Sequence, residues 1–166
     1  MSYIRLAKIE DAAIMSRIHA LAWKEAYKGL IPQEYLNGIS EDRWIKPFIE
    51  ALSNKLHEAA IINNGETDTG CVCFGKSRDG EAGYGEIISI YVLPAYWSTG
   101  QGYELMNFAL NRLKKQNFDY CHLWVLEGNT RALNFYEKYG FRSDNKVRII
   151  NIAGVNLREL RYSIKL

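Results

Sequence analysis

The hydrophobic positions at the start of the chain change from an alternating to a helical spacing. The run SYIRLAK, residues 2–8, alternates apolar and polar side chains and predicts a first strand. From Glu10 onward the spacing becomes helical, with Asp11 as an acidic helix start. The apolar stripe of this predicted helix comprises Ile14, Ile18, Leu21 and Ala22.

A second helical region follows a break in this pattern. Gly29 and Pro32 end the first helix and predict a turn or short helix within YKGLIPQEYL. Ser40 is predicted to be the N-cap of a further helix, whose continuity Pro47 would disturb. The apolar stripe of that helix would contain Trp44, Phe48, Ile49 and Leu52.

The middle of the chain contains three strand-like runs separated by Gly, Asp and Asn clusters. They are EAAIINN (58–64), GCVCFGKS (70–77) and YGEIISIYVL (84–93), and their close spacing predicts an antiparallel meander. A helix follows, with Leu105, Met106, Ala109, Leu110 and Leu113 on one stripe.

The last third of the chain predicts one more strand, one helix and a hairpin. YCHLWVL (120–126) is strand-like, and NTRALNFYEKYGF (129–141) is a helix that ends at Gly140. Residues 146–166 predict a hairpin that turns near Ala153-Gly154. This order of elements predicts a mixed sheet with helices on its faces.

Composition restricts the class of protein. The 166 residues suit one domain, residues 1–166, with 48% hydrophobic and 24% charged residues. A formal net charge of +2 does not suggest binding to nucleic acid or to an anionic membrane. The start MSYIRLAKIEDAAIM lacks the apolar run of a signal peptide, and no stretch reaches membrane-spanning length, so a cytoplasmic protein is predicted.

The cysteines and histidines suggest neither a disulfide scaffold nor a metal site. Cys71 and Cys73 would share one face of a strand, but a second pair of ligands with suitable spacing is missing. Together with Cys121 they form an odd set without a framework spacing, so we expect small buried residues and no metal.

The junction VLPAYWSTGQGYELM, residues 92–106, places two glycines between a strand and a helix. It lacks the lysine of a Walker loop, and Leu105 stands where a Rossmann fingerprint would have its third glycine. Backbone N–H groups around Gly100 and Gly102 could cradle a pyrophosphate at the helix N-terminus. The glycines could also simply form a tight turn, and the spacing alone leaves both alternatives open.

Two blocks together resemble the Gcn5-related N-acetyltransferase (GNAT) family. They are IYVLPAYWSTGQGYELMNFAL (90–110) and LWVLEGNTRALNFYEKYGF (123–141). The second block matches the family pattern, with intact spacing, at Asn129, Ala132, Phe135, Tyr136, Gly140 and Phe141. Residues 4–40 are similar to a bacterial subgroup in which some members of similar appearance are polyamine acetyltransferases.

The resemblance implies an α/β GNAT fold and a donor substrate, acetyl-CoA. The fold would have a central mixed, mostly antiparallel sheet of six to seven strands, about four flanking helices, and fourth and fifth strands splayed for CoA. The acetyl group would pass directly to a primary amine of a small molecule, with a polyamine as one candidate, in a ternary complex. The implied CoA-binding residues are Ile90, Tyr91, Val92, Trp97, Ser98, Thr99, Gly100, Gln101, Gly102, Tyr103, Asn129, Ala132, Phe135 and Tyr136.

The resemblance also implies catalytic roles. Tyr136 would protonate the departing thiolate, although its position alone also suits an aromatic residue of the helix stripe. Glu86 is predicted to be the base, acting through water, because it shares strand parity with Ile88, Ile90 and Val92. An exposed strand glutamate is the alternative for Glu86, and an N-cap is the alternative for Asn129.

Several features concern the acceptor. Trp23, Tyr27 and Tyr35, together with Glu25 and Glu34, could line a site that attracts a cation, although such aromatics also suit a core. Family members often form dimers, so a homodimer stays open. A protein N-terminus or lysine is an alternative acceptor.

The phosphate loop departs from the family pattern. Trp97 replaces a polar residue, Tyr103 follows the second glycine, and Glu104 adds a carboxylate to the first helical turn. The sequence therefore predicts weaker side-chain support for the pyrophosphate, or compensation from Lys138 or another basic residue. A catalytically impaired CoA-binding or sensor module is a further alternative.

Overall fold

The computed structural model describes residues 2–166, which form seven strands and five α-helices. The strands are β1 (Tyr3–Leu6), β2 (Glu58–Asn63), β3 (Asp68–Lys76), β4 (Tyr84–Val92), β5 (Tyr120–Leu126), β6 (Arg142–Ile152) and β7 (Val155–Lys165). The helices are α1 (Ala12–Ala26), α2 (Gln33–Asn37), α3 (Ile45–Ser53), α4 (Gln101–Lys115) and α5 (Thr130–Tyr139), with short 3₁₀ turns at Ile9–Asp11 and Pro94–Tyr96.

The seven strands form one mixed sheet in the order β1-β2-β3-β4-β5-β7-β6. Neighbouring strands are antiparallel except for β4 and β5, which are parallel. The predicted meander and terminal hairpin are both present. The hairpin turns at Ala153 and Gly154, whose positive φ angles of 52° and 81° suit a two-residue hairpin turn.

A gap opens between β4 and β5. The two strands pair over three residues each, from Tyr84–Glu86 with Tyr120–His122, and diverge beyond them. The outer edges of both strands stay paired, β4 with β3 and β5 with β7. The predicted splay of the fourth and fifth strands is therefore confirmed.

Helices cover both faces of the sheet. On one face, α4 buries Leu105, Met106 and Leu113 against sheet residues that include Phe74 and Leu123, and α5 packs beside it. On the other face, α1 and α3 pack against β2 and β3, where Cys71 and Cys73 are free and buried side by side on one face. Within residues 2–166, no helix combines the length and the apolar character needed to cross a bilayer.

The start of α3 differs from the sequence prediction, in which Ser40 was the N-cap. The helix begins at Ile45, after a turn that Ser16 holds: its hydroxyl donates to the carbonyl of Glu41 (2.7 Å) and accepts from the N–H of Trp44 (2.9 Å). A partner on α1, invisible to local sequence reasoning, thus sets the boundary. Pro47 consequently lies in the first turn, where its missing N–H costs no helical hydrogen bond.

An irregularity in β4 changes which side chains share a face. Cys73 pairs with Ser89 and Phe74 pairs with Ile87, so that Ile88 is an extra residue in the ladder. Ile90 and Val92 therefore pack with the α4 side of the core, whereas Ile88 packs with the α1 side. The predicted parity between Glu86 and the pair Ile90 and Val92 is wrong, because the bulge reverses the alternation between them.

Candidate active site

A cavity of about 750 Å³ occupies the gap between β4 and β5. Its volume lies within the usual range of small-molecule sites. The residues predicted to bind CoA or acceptor that line it are Tyr27, Ile90, Tyr91, Val92, Trp97, Ser98, Gly100, Gly102, Tyr103, Asn129, Ala132, Phe135 and Tyr136. The predicted residues outside the lining are Trp23, Tyr35, Glu86, Thr99 and Gln101.

One wall of the cavity is a free strand edge. The N–H of Leu93 donates to the carbonyl of Thr69 at 2.8 Å, on the β3 side. Because backbone groups alternate between the two edges of a strand, those of Val92 and Ile90 face the gap and those of Tyr91 face β3. The strand thus offers the backbone of Ile90 and the N–H of Val92 to an extended ligand, which are two of the three predicted positions.

The glycine loop ends in an uncapped helix N-terminus. Gly100 has a φ of 92° and immediately precedes α4, whose first intrahelical bond runs from the N–H of Glu104 to the carbonyl of Gly100 (3.1 Å). The N–H groups of the first three helical residues have no carbonyl one turn earlier within the helix. These donors, together with the helix dipole, favour an anion at this end of the cavity.

Two side chains of the loop brace it instead of lining the cavity. Thr99 donates from its hydroxyl to the carbonyl of Tyr96 at 2.7 Å. The buried Gln101 accepts from the hydroxyl of Thr69 at 2.6 Å, which ties the loop to β3. Any contact of these two residues with a ligand would therefore come from their backbone.

Trp97 packs beside the loop and carries a cation. Its indole N–H donates to the carbonyl of Val92 (2.7 Å), and the guanidinium of Arg131 lies 4.3 Å from its ring centroid. Arg131 also donates to the hydroxyl of Ser98 at 3.3 Å. Arg131 and Lys138 both line the cavity from α5, so basic side chains do stand beside the loop.

Three tyrosines, Tyr27, Tyr91 and Tyr136, line the cavity. The hydroxyls of Tyr27 and Tyr91 are hydrogen-bonded at 2.9 Å. Burial raises the pKa of Tyr136 well above its ordinary value, and the neighbouring Tyr27 adds to the shift. Burial likewise raises the pKa of Tyr27 and of Tyr91. All three phenols are consequently neutral proton donors near pH 7.

Glu86 lies at the closed end of the gap and is 1% exposed. Arg78 donates to Oε1 from its guanidinium (2.7 Å) and to Oε2 from its backbone N–H (2.9 Å). Across the sheet Glu86 faces His122, in the last residue pair before the strands diverge. The structure does not bring this carboxylate into the cavity lining, and its role as a base stays a prediction.

Tyr27 is the predicted acceptor residue that reaches the cavity. Trp23 packs edge-on against Tyr27, with ring centroids 4.8 Å apart, and against Trp44. The hydroxyl of Tyr35 accepts from Arg43 at 2.7 Å, on the far side of that cluster. Trp23 therefore positions Tyr27 and does not itself line the site.

Comparison with known proteins decides the family. Residues 15–141 match the model of the acetyltransferase (GNAT) family. The chain belongs to this family. YuaI of Bacillus subtilis, named an uncharacterised N-acetyltransferase, is 30% identical to this acetyltransferase over 96% of the chain and 91% of its own length. The predicted class of enzyme, an acetyl-CoA-dependent N-acetyltransferase, is confirmed.

Two further matches come from Thermoplasma acidophilum. A spermidine N(1)-acetyltransferase is 24% identical over 86% of this GNAT chain and 89% of its own. The crystal structure of PaiA N-acetyltransferase in complex with coenzyme A superimposes with a TM-score of 0.77 at 22% identity, covering 100% of this chain and 99% of that one. The predicted GNAT fold is confirmed.

Some residues of this GNAT site were missing from the sequence prediction. Arg131 lies inside the quoted block NTRALNFYEKYGF, so its place two residues after Asn129 was a usable signal. No local sequence signal pointed to Trp124 or Glu159, because their approach to the cavity depends on the register of β5 against β7. Asn129 does act as an N-cap, since its side chain accepts from the N–H of Ala132 at 3.2 Å, and it also lines the cavity.

Proposed function

We propose that the protein transfers the acetyl group of acetyl-CoA to a primary amine of a small molecule, with polyamines as the first candidates. The observation that carries this proposal is the open gap between β4 and β5, with the glycine loop at one end and Tyr136 in its wall. The name of the spermidine-acetylating relative supports the choice of polyamines.

The donor would lie along the free edge of β4. The backbone of Ile90 and Val92 would pair with the amides of the pantetheine arm, and an N–H near Val92 would polarise the thioester carbonyl. The α4 N-terminus would hold the pyrophosphate, with Arg131 supplying positive charge beside it.

Tyr136 would act as the general acid. When the amine nitrogen bonds to the acetyl carbon and the carbon–sulfur bond breaks, the phenol of Tyr136 gives its proton to the sulfur. The amine loses its own proton to a base, for which water leading to Glu86 is our proposal. The raised pKa of Tyr136 keeps its phenol protonated over the working pH range, so that the proton is available when the thiolate forms.

Release of free thiol from acetyl-CoA tests the proposed function. We expect turnover with 1,4-diaminobutane, spermidine or n-butylamine, and much less with a peptide that has a free N-terminus. Turnover on the peptide alone would favour the protein-acetylating alternative. Calorimetry that finds no CoA binding at millimolar concentration would instead favour an impaired module.

The pH dependence of turnover should show no alkaline decline below about pH 10. An ordinary tyrosine loses its proton near pH ~10. Because the pKa of Tyr136 is raised, its acid form persists above that value, while rising pH deprotonates more of the amine. The measurement is kcat from pH 7 to 10 at saturating substrates, with circular dichroism at each pH. A fall of kcat with a midpoint near pH 8 would contradict the acid role.

Replacing Arg131 with methionine should weaken CoA binding by about tenfold, because the variant keeps the stem but loses a charge-assisted contact to phosphate. The loss should shrink at high salt, since screening already weakens this contact in the unmodified protein. Calorimetry at low and high NaCl measures both effects. The control is Arg17→Met. Arg17 is an exposed arginine on α1 that is ion-paired with Glu41. An unchanged Kd would exclude Arg131 from the phosphate site.

A further inference from the structure

Glu159 places a carboxylate in the wall of the cavity. It pairs with Leu126, the last residue of β5, at the open end of the gap. Its side chain is 14% exposed and lines the cavity. Within residues 2–166 it is the one acidic residue of that lining.

One oxygen of this carboxylate is already held, and the other is free to bind. Arg148 donates from Nε to Oε2 at 2.5 Å, and its guanidinium lies 4.4 Å from the ring centroid of Trp124. Oε1 accepts no hydrogen bond from any group in the part of the chain that the structure describes. Arg148 thus fixes the orientation of Glu159 and leaves an acceptor atom for a ligand.

The basic and acidic residues of the cavity lining come from different elements, α5 and β7. Arg131 and Lys138 line the cavity from α5, and Arg131 contacts the glycine loop through Ser98. Glu159 instead adjoins Tyr27: burial raises the pKa of Tyr27, and the charge of Glu159 adds to that rise. Burial is the main cause of the raised pKa of Tyr136, and the neighbouring Tyr27 raises it further. Glu159, Tyr27 and Tyr136 all line the same cavity.

We propose that Glu159 binds a second cationic group of the acceptor and so selects diamines and polyamines over monoamines. This inference rests on the proposed acetyl transfer and assigns a specificity residue to the same site. The reacting amine would lie near Tyr136, and the distal ammonium would donate to Oε1 of Glu159. A buried charged hydrogen bond of this kind discriminates strongly against an acceptor that lacks the second charge.

The variant Glu159→Gln tests the inference through a split between KM and kcat. We expect the KM for 1,4-diaminobutane to rise about tenfold or more, with kcat changed by less than about threefold. The KM for n-butylamine should change by less than about twofold, because it has no second charge. Acetylation of 4-aminobutanoate should improve in the variant, since a carboxylate no longer faces a carboxylate.

Glu127→Gln is the matched control. Glu127 is also a glutamate ion-paired to an arginine, Arg158 at 3.1 Å, but it is exposed and does not line the cavity. It should leave all three KM values unchanged. An equal rise of KM for n-butylamine and 1,4-diaminobutane, or a loss in kcat alone, would overturn the inference by making Glu159 a partner of the reacting amine.

Calorimetry of 1,4-diaminobutane with the CoA-saturated protein separates this inference from the proposed function. If no amine is acetylated but the diamine binds about tenfold more weakly to Glu159→Gln, the inference stands and the proposed function fails. If both proteins bind the diamine equally, or neither binds it, the inference is wrong whatever the turnover assay shows.

Discussion

Replacing Tyr136 with phenylalanine should lower kcat by about 100-fold or more, while the Kd for CoA changes by less than about twofold. The substitution removes one hydroxyl and keeps the ring that packs between Phe135 and Phe141. Without the phenol, the thiolate has to leave unprotonated or wait for water. Single-turnover rates with acetyl-CoA and an amine measure the loss, and calorimetry measures CoA binding.

The control for this change is Tyr162→Phe. Tyr162 is a buried tyrosine on β7 whose hydroxyl donates to Glu137 at 3.0 Å, and it does not line the cavity. It should lose some stability and keep its turnover per folded molecule. Equal activity of Tyr136→Phe and the unmodified protein would remove Tyr136 from the acid role and return it to the aromatic stripe of α5.

The order of elements was predictable because most elements are determined by residues that are close together in the sequence. Alternation in β2 to β4, the stripe of α4, the glycine after α5 and the Ala153-Gly154 turn are each set by residues a few positions apart. The start of α3 was not, because the hydroxyl of Ser16 on another helix holds the preceding turn. The prediction of which β4 side chains share a face was also wrong, because a bulge leaves no trace in the hydrophobic pattern.

The residues of the site also fall into a group that local motifs predict and a group that only the tertiary structure places. The glycine loop and the α5 block are contiguous motifs, so most of their predicted residues line one cavity, with Thr99 and Gln101 as the exceptions. The acceptor side is assembled from α1, β5 and β7, and no short stretch encodes it. Glu86 was chosen by parity and lies beside Arg78 outside the lining, whereas Glu159 enters it through strand pairing alone.

Trp97 shows how an unusual residue can serve a family function. The family pattern has a polar side chain at this position, and the tryptophan predicted a weaker phosphate loop. The indole instead bonds to the end of β4 and provides a surface on which Arg131 stacks. A cation–π contact of this kind contributes about 0.5–1 kcal/mol at an exposed site, which is enough to favour one orientation of the arginine.

Replacing Gly100 with valine should weaken CoA binding by about 30-fold or more. The φ of 92° lies in the left-handed region, where an L residue costs about 1–2 kcal/mol and a β-branched one is strongly disfavoured. An added Cβ would meet no protein atom within 4 Å, so the fold itself does not resist the side chain. The loss of affinity would come from a distorted loop and from apolar bulk where phosphate should approach the N–H groups.

Gly80→Val separates backbone strain from loss of the cradle. Gly80 also has a left-handed φ, 74°, and open surroundings, but it lies in the β3–β4 connection away from the cavity. Both variants should lose a similar free energy of unfolding, measured by chemical denaturation, whereas Gly100→Val alone should lose CoA affinity, measured by calorimetry. If Gly100→Val bound CoA as the unmodified protein does, the glycines would be no more than a tight turn, and the pyrophosphate would have to lie elsewhere along the gap.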